Sequence, residues 1–141
     1  MTTPYFELRS TVLLVVGHGL LAEEEDRPIA YELKRAINQR AGASGGRAVV
    51  VTDAWLLEQE LGDFFPAIAL GGPEVNGFTE EICEDLPIAW EREQEAFIQM
   101  GDEVKRAALW GTDPKGTREA VGRFVADGSL ERFLSLVWGA S

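Results

Sequence analysis

Residues 111 to 117, Gly-Thr-Asp-Pro-Lys-Gly-Thr, gather the groups that hold an anion. They bring backbone N–H groups, the hydroxyls of Thr112 and Thr117, and Lys115 to the front of an amphipathic helix expected to open at Thr117. Unpaired amides and the helix dipole favour negative charge at such a place. The Gly-Lys-Thr order of a phosphate-binding P-loop is absent. A second loop, Gly71-Gly72-Pro73-Glu74-Val75-Asn76-Gly77, follows the apolar run Ala67 to Leu70. Its glycines let a backbone approach a ligand closely, and Asn76 can hydrogen-bond to that ligand. Each loop also has a purely structural reading. Asp113 or Thr117 would cap a helix, Gly116 would shape a turn, and Asn76 would hold one.

Asp53 closes the run Val-Val-Val-Thr-Asp and stands where a strand-end carboxylate points into the same crevice as the glycine loops. Its structural alternative is to cap the segment that begins at residue 54. His18 is the sole histidine and lies just past a strand end. A general acid or base could sit there. With no second histidine or usable cysteine, nothing completes a triad or a nitrogen/sulfur zinc site, and local hydrogen bonding is the expected role. Gly17-His18-Gly19-Leu20-Leu21-Ala22 fits the G-x-G-x-x-G/A dinucleotide pattern formally. The acids and Pro28 that follow, and an Asp53 well beyond the roughly 20-residue offset of a ribose-binding acid, speak against it. Glu23 to Asp26 read as a solvated face, not a cation site, so no metal is expected. For an enzyme, Asp53 or Glu119 would supply acid/base chemistry on a glycosidic or phosphoester bond. No complete constellation exists, so catalytic residues and cofactor stay unassigned.

Such residues need elements to position them. Residues 11 to 17 form an unbroken β-branched run, which suits a strand covered on both faces. A loop runs on through residue 27, with Asp26 as a candidate N-cap and Pro28 in the first helical turn. Ile29, Leu33 and Ile37 then make one apolar stripe, with Ala30 and Ala36 beside it, and Gly42 to Gly46 ends the helix. Arg47 to Asp53 is the next strand, 54 to 64 a short helix or covering loop, and Pro66 precedes a third strand. Thr79 is expected to cap a helix that turns Ile82, Cys83 and Leu86 inward and stops at Pro87. Ile88 to Met100 is the least readable segment; Ala96 to Met100 and Lys105 to Trp110, separated by Gly101-Asp102, offer a pair of neighbouring strands. The helix from Thr117 ends near Asp127-Gly128. Ser129 caps a last helix with Leu130, Phe133, Leu134 and Val137 on one face. Phe64-Phe65 and Val137-Trp138 are candidate subunit contacts.

The chain has 141 residues, 45% of them hydrophobic and 26% charged. That is enough for one domain with a real core. A formal charge of −11 argues against nucleic acid or an anionic membrane as partner. The single Cys83 cannot form an internal disulfide. Thr11 to Ala22 resembles a signal-peptide core, but Gly17-His18-Gly19 interrupts it and acids stand at the cleavage position. It is also too short to span a bilayer. A cytoplasmic protein is the expectation. The fold expected over residues 1–141 is a single three-layer α/β/α Rossmann-like domain, with a mostly parallel sheet of four to five strands.

The order Gly71-Gly72-Pro73-x-x-Asn76, then Trp110-Gly111-x-Asp113-x-x-Gly116-Thr117-x-x-Ala120-Val121, resembles a module of archaeal surface-layer-related proteins. There a GGPxxN turn precedes a GxDxxGTxxAV strand-to-helix element. The likeness covers the second half of the chain, and it implies a small Rossmann-like layer with both loops on one edge and no catalytic residues. Thr117-Arg118-Glu119 is also similar to the Gly-Thr-x-x-Glu loop of nucleotide-cleaving Rossmann-like glycosidases. Glu119 comes one residue early, and the Pro-Gly-Gly turn of that loop is missing.

Two functions are therefore expected. In the first, a small anionic ligand binds between loops 71–77 and 111–117, held by Gly71, Gly72, Thr112, Lys115, Gly116 and Thr117, with Asn76 and Asp53 contacting its remainder. In the second, the loops only build turns, and the chain is an interaction or assembly module that forms a homodimer or binds a partner. A concave pocket with inward polar groups would favour the first, a flat apolar patch the second.

Overall fold

The structure, a computed structural model, describes residues 10–41, 46–59, 65–101 and 104–139. Strand β1 (Thr11–Val16) is buried along its whole length, as its continuous apolar run requires. Val12, Leu14 and Val16 face one core cluster and Leu13 and Val15 the other, so both faces of the sheet are covered. Helix α1 (Arg27–Ala41) follows and buries Ile29, Ala30, Leu33 and Ile37. Then come β2 (Arg47–Thr52), α2 (Asp53–Glu58) and β3 (Ala67–Leu70). Helix α3 (Gly77–Ile82) ends in a 3₁₀ turn over Cys83–Asp85. Strands β4 (Ile88–Arg92), β5 (Ala96–Met100) and β6 (Arg106–Gly111) lead to helices α4 (Pro114–Ala126) and α5 (Ser129–Trp138).

The six strands among the described residues join one sheet in the order β2-β1-β3-β6-β5-β4. Strands β2, β1, β3 and β6 run parallel, while β5 is antiparallel to both β6 and β4. The sheet is thus mixed and six-stranded, not the mostly parallel sheet of four to five strands that the sequence suggests. The additional strand is β4. Its Ile-Ala-Trp-Glu-Arg sequence lies at an edge with most residues exposed or half-exposed, so it lacks the apolar run that reveals an interior strand. Glu93 and Gln94, at φ 51° and 59°, turn the chain back into β5.

Two core clusters lie on opposite faces of the sheet. Leu33, Phe124, Phe133 and Leu130 from α1, α4 and α5 fill one; Leu56, Phe78 and Ile82 from α2 and α3 fill the other. Several end signals fall elsewhere than expected. The chain is helical from residue 20, and Ala22–Asp26 form a π-helical turn in which the Arg27 N–H reaches back to the Ala22 carbonyl. Asp26 is therefore a buried member of a helix and not an N-cap. Asn76, not Thr79, caps α3, and Cys83 is only half-buried. Asp113 caps α4, which starts at Pro114 and not at Thr117. Gly128, in the left-handed region at φ 90°, precedes α5, and Ser129 is its first residue.

The proposed subunit contacts turn inward: Phe65 and Val137 are buried. The Trp138 indole packs on the core and donates to the Ser10 carbonyl at 2.9 Å. Phe64 lies outside the described residues. Trp55 is exposed on α2. No helix among the described residues is long and apolar enough to cross a membrane.

Candidate functional site

Loop 71–77 is built around Asn76. Its side chain is 1% exposed, and its amide donates to the carbonyls of Val15 and Leu70, both at 2.8 Å. Its oxygen accepts from the N–H groups of Phe78 and Thr79. One residue thus ties the ends of β1 and β3 together and caps α3. The Gly72 carbonyl accepts from the N–H groups of Val75 and Asn76, and Thr79 Oγ1 donates to the Gly71 carbonyl. Gly71 sits at φ 105°, a backbone conformation that suits glycine.

The second loop is as fully determined. The Asp113 carboxylate accepts from the Gly116 N–H at 2.9 Å. Thr117 Oγ1 accepts from the Gly111 N–H at 3.1 Å, which fastens the first turn of α4 to the end of β6. A Cβ on Gly116 would meet the Glu95 carbonyl at 2.5 Å and the Gly111 Cα at 2.9 Å. Gly116 therefore marks a close helix–strand approach. Pro114 at the first helical position has no N–H, and the Asp113 carboxylate places negative charge beside the next amides.

Asp53 takes the same kind of part. It is 3% exposed and accepts from the N–H groups of Ala54 and Gly77, both at 2.7 Å. His18 Nδ1 lies 2.7 Å from Asp53 Oδ1, the oxygen that also accepts from Ala54, while Gly77 donates to Oδ2. The carboxylate thus anchors the starts of α2 and α3 and the loop after β1, while most of the His18 ring remains in solvent. Glu119 is paired with Arg92 of β4, and that guanidinium holds its carboxyl below the usual range. A general acid needs the opposite shift.

The two loops meet across a cavity of about 310 Å³ at the C-terminal ends of β3 and β6. Gly72, Thr112 and Thr117 line it, as the sequence suggests. Gly71, Asn76, Gly116, Lys115 and Asp53 are not among its lining residues; the first three shape the loops behind it, and Lys115 is exposed near Glu119. The walls instead include Leu21, Val75 and Trp110, none of which the sequence singled out for this role. The Trp110 ring stacks on Phe97 with centroids 4.3 Å apart, and its Nε1 donates to Gln99 Oε1.

Asp26 also reaches the cavity wall. It is 2% exposed, and its Oδ1 is buried without a hydrogen-bond partner among the described residues. Burial, followed by the charge of Glu25, pushes its carboxyl up to about 6. The sequence does hold a signal for it. Carried backward, the apolar stripe of Leu33 and Ala30 passes through Asp26 and Ala22, so an acid occupies a core position. Reading Glu23 to Asp26 as one solvated run conceals that.

Among the described residues, no three His, Cys, Asp or Glu side chains gather closely enough to hold a metal ion. No protein-family model matches the chain, and no curated protein matches it either.

Proposed function

We propose that this chain binds a small molecule in the cavity between loops 71–77 and 111–117. The observation that carries this reading is the meeting of both loops across one concavity, at the carboxyl ends of parallel strands. Open α/β sheets place their ligands there, beside the point where the strand order reverses. Strand β1 leads through α1 to β2 on one side and has β3 on its other. That order supports the Rossmann-like description of the parallel half. The cavity's size suits a compact ligand of about ten to fifteen non-hydrogen atoms, near the lower end of ordinary pockets.

The anionic ligand suggested by the loop chemistry has less support than the site itself. The described residues that line the cavity include no lysine or arginine, and the α4 N-terminus already carries the Asp113 carboxylate. A second reading, an assembly module, draws on Leu20 (75% exposed), Leu57 (49%) and Trp55 (41%). The His18–Asp53 contact brings the segments that bear them together. The lone cysteine and acidic charge fit a cytoplasmic setting for either reading.

A thermal-shift panel of cationic, neutral and anionic fragments tests the binding reading, with Thr112→Trp run beside the parent. Thr112 is exposed at the mouth, so the indole would occlude the cavity without entering the core. A fragment at about a hundred times its dissociation constant should stabilise the parent by roughly 2.7 kcal/mol and the occluded variant far less. Equal shifts in both proteins would overturn the assignment of the site.

A further inference from the structure

The geometry points to an organic cation as the occupant of this cavity: a primary ammonium on a small apolar body, with Asp26 as its counter-ion. The inference rests on the binding reading above and narrows it to a chemical class. Among the described lining residues Asp26 is the one charged side chain that is almost completely buried, and its Oδ1 accepts no hydrogen bond from the described residues. A carboxylate out of water without a donor is strongly disfavoured, and an ammonium N–H supplies both the missing bond and the opposite charge.

The remaining charges agree in sign. Glu74 and Asp113 line the same cavity and are exposed, so an incoming cation meets carboxylates at the rim before it reaches the buried one. An anion would meet three like charges and no lysine or arginine among the described lining residues. Leu21, Pro73, Val75, Trp110 and Pro114 make the rest of the wall largely apolar. Such a surface suits a hydrocarbon or aromatic body better than a hydrated metal ion, which needs six or more oxygen ligands.

Three probes of similar size separate the alternatives: 2-phenylethylammonium, 2-phenylethanol and phenylacetate. Each is titrated at pH 7.5 into the full chain labelled with nitrogen-15, and the amide signals of Gly72, Thr112 and Thr117 are followed. The ammonium should move these signals and bind at least about tenfold more tightly than either other probe. Asp26→Asn should weaken it by about thirtyfold or more, the scale on which one partner of a buried charge pair is lost. The parent's ranking of the three probes stands without the variant, so the test survives any folding defect in Asp26→Asn. Phenylacetate or phenylethanol binding as tightly as the ammonium would overturn the cation and leave the cavity reading intact. So would a folded Asp26→Asn that keeps the parent's affinity. No change at these amides with any probe would overturn the cavity reading together with the cation.

Discussion

Asp26 Oδ2 occupies the space that a side chain at residue 71 would need: an ideal Cβ on Gly71 would come within 2.7 Å of it. Gly71 is also at φ 105°, where L-residues rarely go. Gly71→Ala should therefore cost about 2 kcal/mol or more, from backbone strain and from displacement of the carboxylate. The contact part is separable by a double-mutant cycle in urea. In an Asp26→Ala background the same substitution should cost roughly 1 kcal/mol less, while the strain persists. Strict additivity would show that the two residues do not meet.

Asp26 makes the fold less stable when it ionises. Its carboxyl is raised from 3.8 to about 6, so between these values the folded chain holds a proton that the unfolded chain has released. Stability from this group is full below about pH 4 and falls as pH rises through 6. The loss amounts to about 3 kcal/mol at most. Asp26→Asn should therefore exceed the parent in stability at pH 8 and lose that advantage near pH 4. Denaturant midpoints of both proteins at the two pH values check the sign. An advantage that grows toward low pH would contradict the burial of an unpaired acid.

For Asn76 the prediction concerns the fold and not a ligand. Asn76→Ala strips donors from two buried carbonyls and the cap from α3, at about 3 kcal/mol. Asn76→Asp keeps the cap but turns a carboxylate toward the Val15 and Leu70 carbonyls, so at pH 7 it should destabilise at least as much. Equilibrium unfolding of the two variants decides this. A loss under about half a kcal/mol in both would mean that the four hydrogen bonds contribute little.

At the β4–β5 turn, Gln94 adopts φ 59° without being glycine or asparagine. Gln94→Gly should raise stability by about 0.5–1 kcal/mol through relief of that conformation. A higher melting temperature with unchanged amide shifts at Gly72 and Thr112 would bear this out. A lower one would mean that the Gln94 side chain contributes more than its backbone costs.

The parallel half of the fold was legible because its strands are continuous apolar runs. Residues 11 to 16, 47 to 52 and 67 to 70 each form a strand as their composition suggests, and the spacing of Ile29, Leu33 and Ile37 marks the buried face of α1. The pairing of β5 with β6 follows the two runs Ala96 to Met100 and Lys105 to Trp110, although β5 lies in the least readable segment of the sequence. What escaped the sequence depends on long-range contact. Strand β4 exists through its pairing with β5, and its own residues are mostly solvent-facing. In the candidate site, the pairing of the loops and three of their residues were legible, since glycine, proline and a following helix mark a strand end. Asp26 was not, because a π turn carries it from an acidic run into the buried face. Asn76 and Gly116 illustrate the reverse: residues suited to touch a ligand serve the chain's own backbone here.

The four bonds of Asn76 also bear on time. They join the wall of the cavity to the ends of two central strands, so this wall is part of the sheet's own framework and not a lid that must swing shut. A ligand entering such a preformed recess loses little to ordering the protein around it. Its arrival would be set by diffusion to the mouth, and its residence by the contacts it makes once inside. Relatives of one ligand should then differ in how quickly they leave far more than in how quickly they arrive.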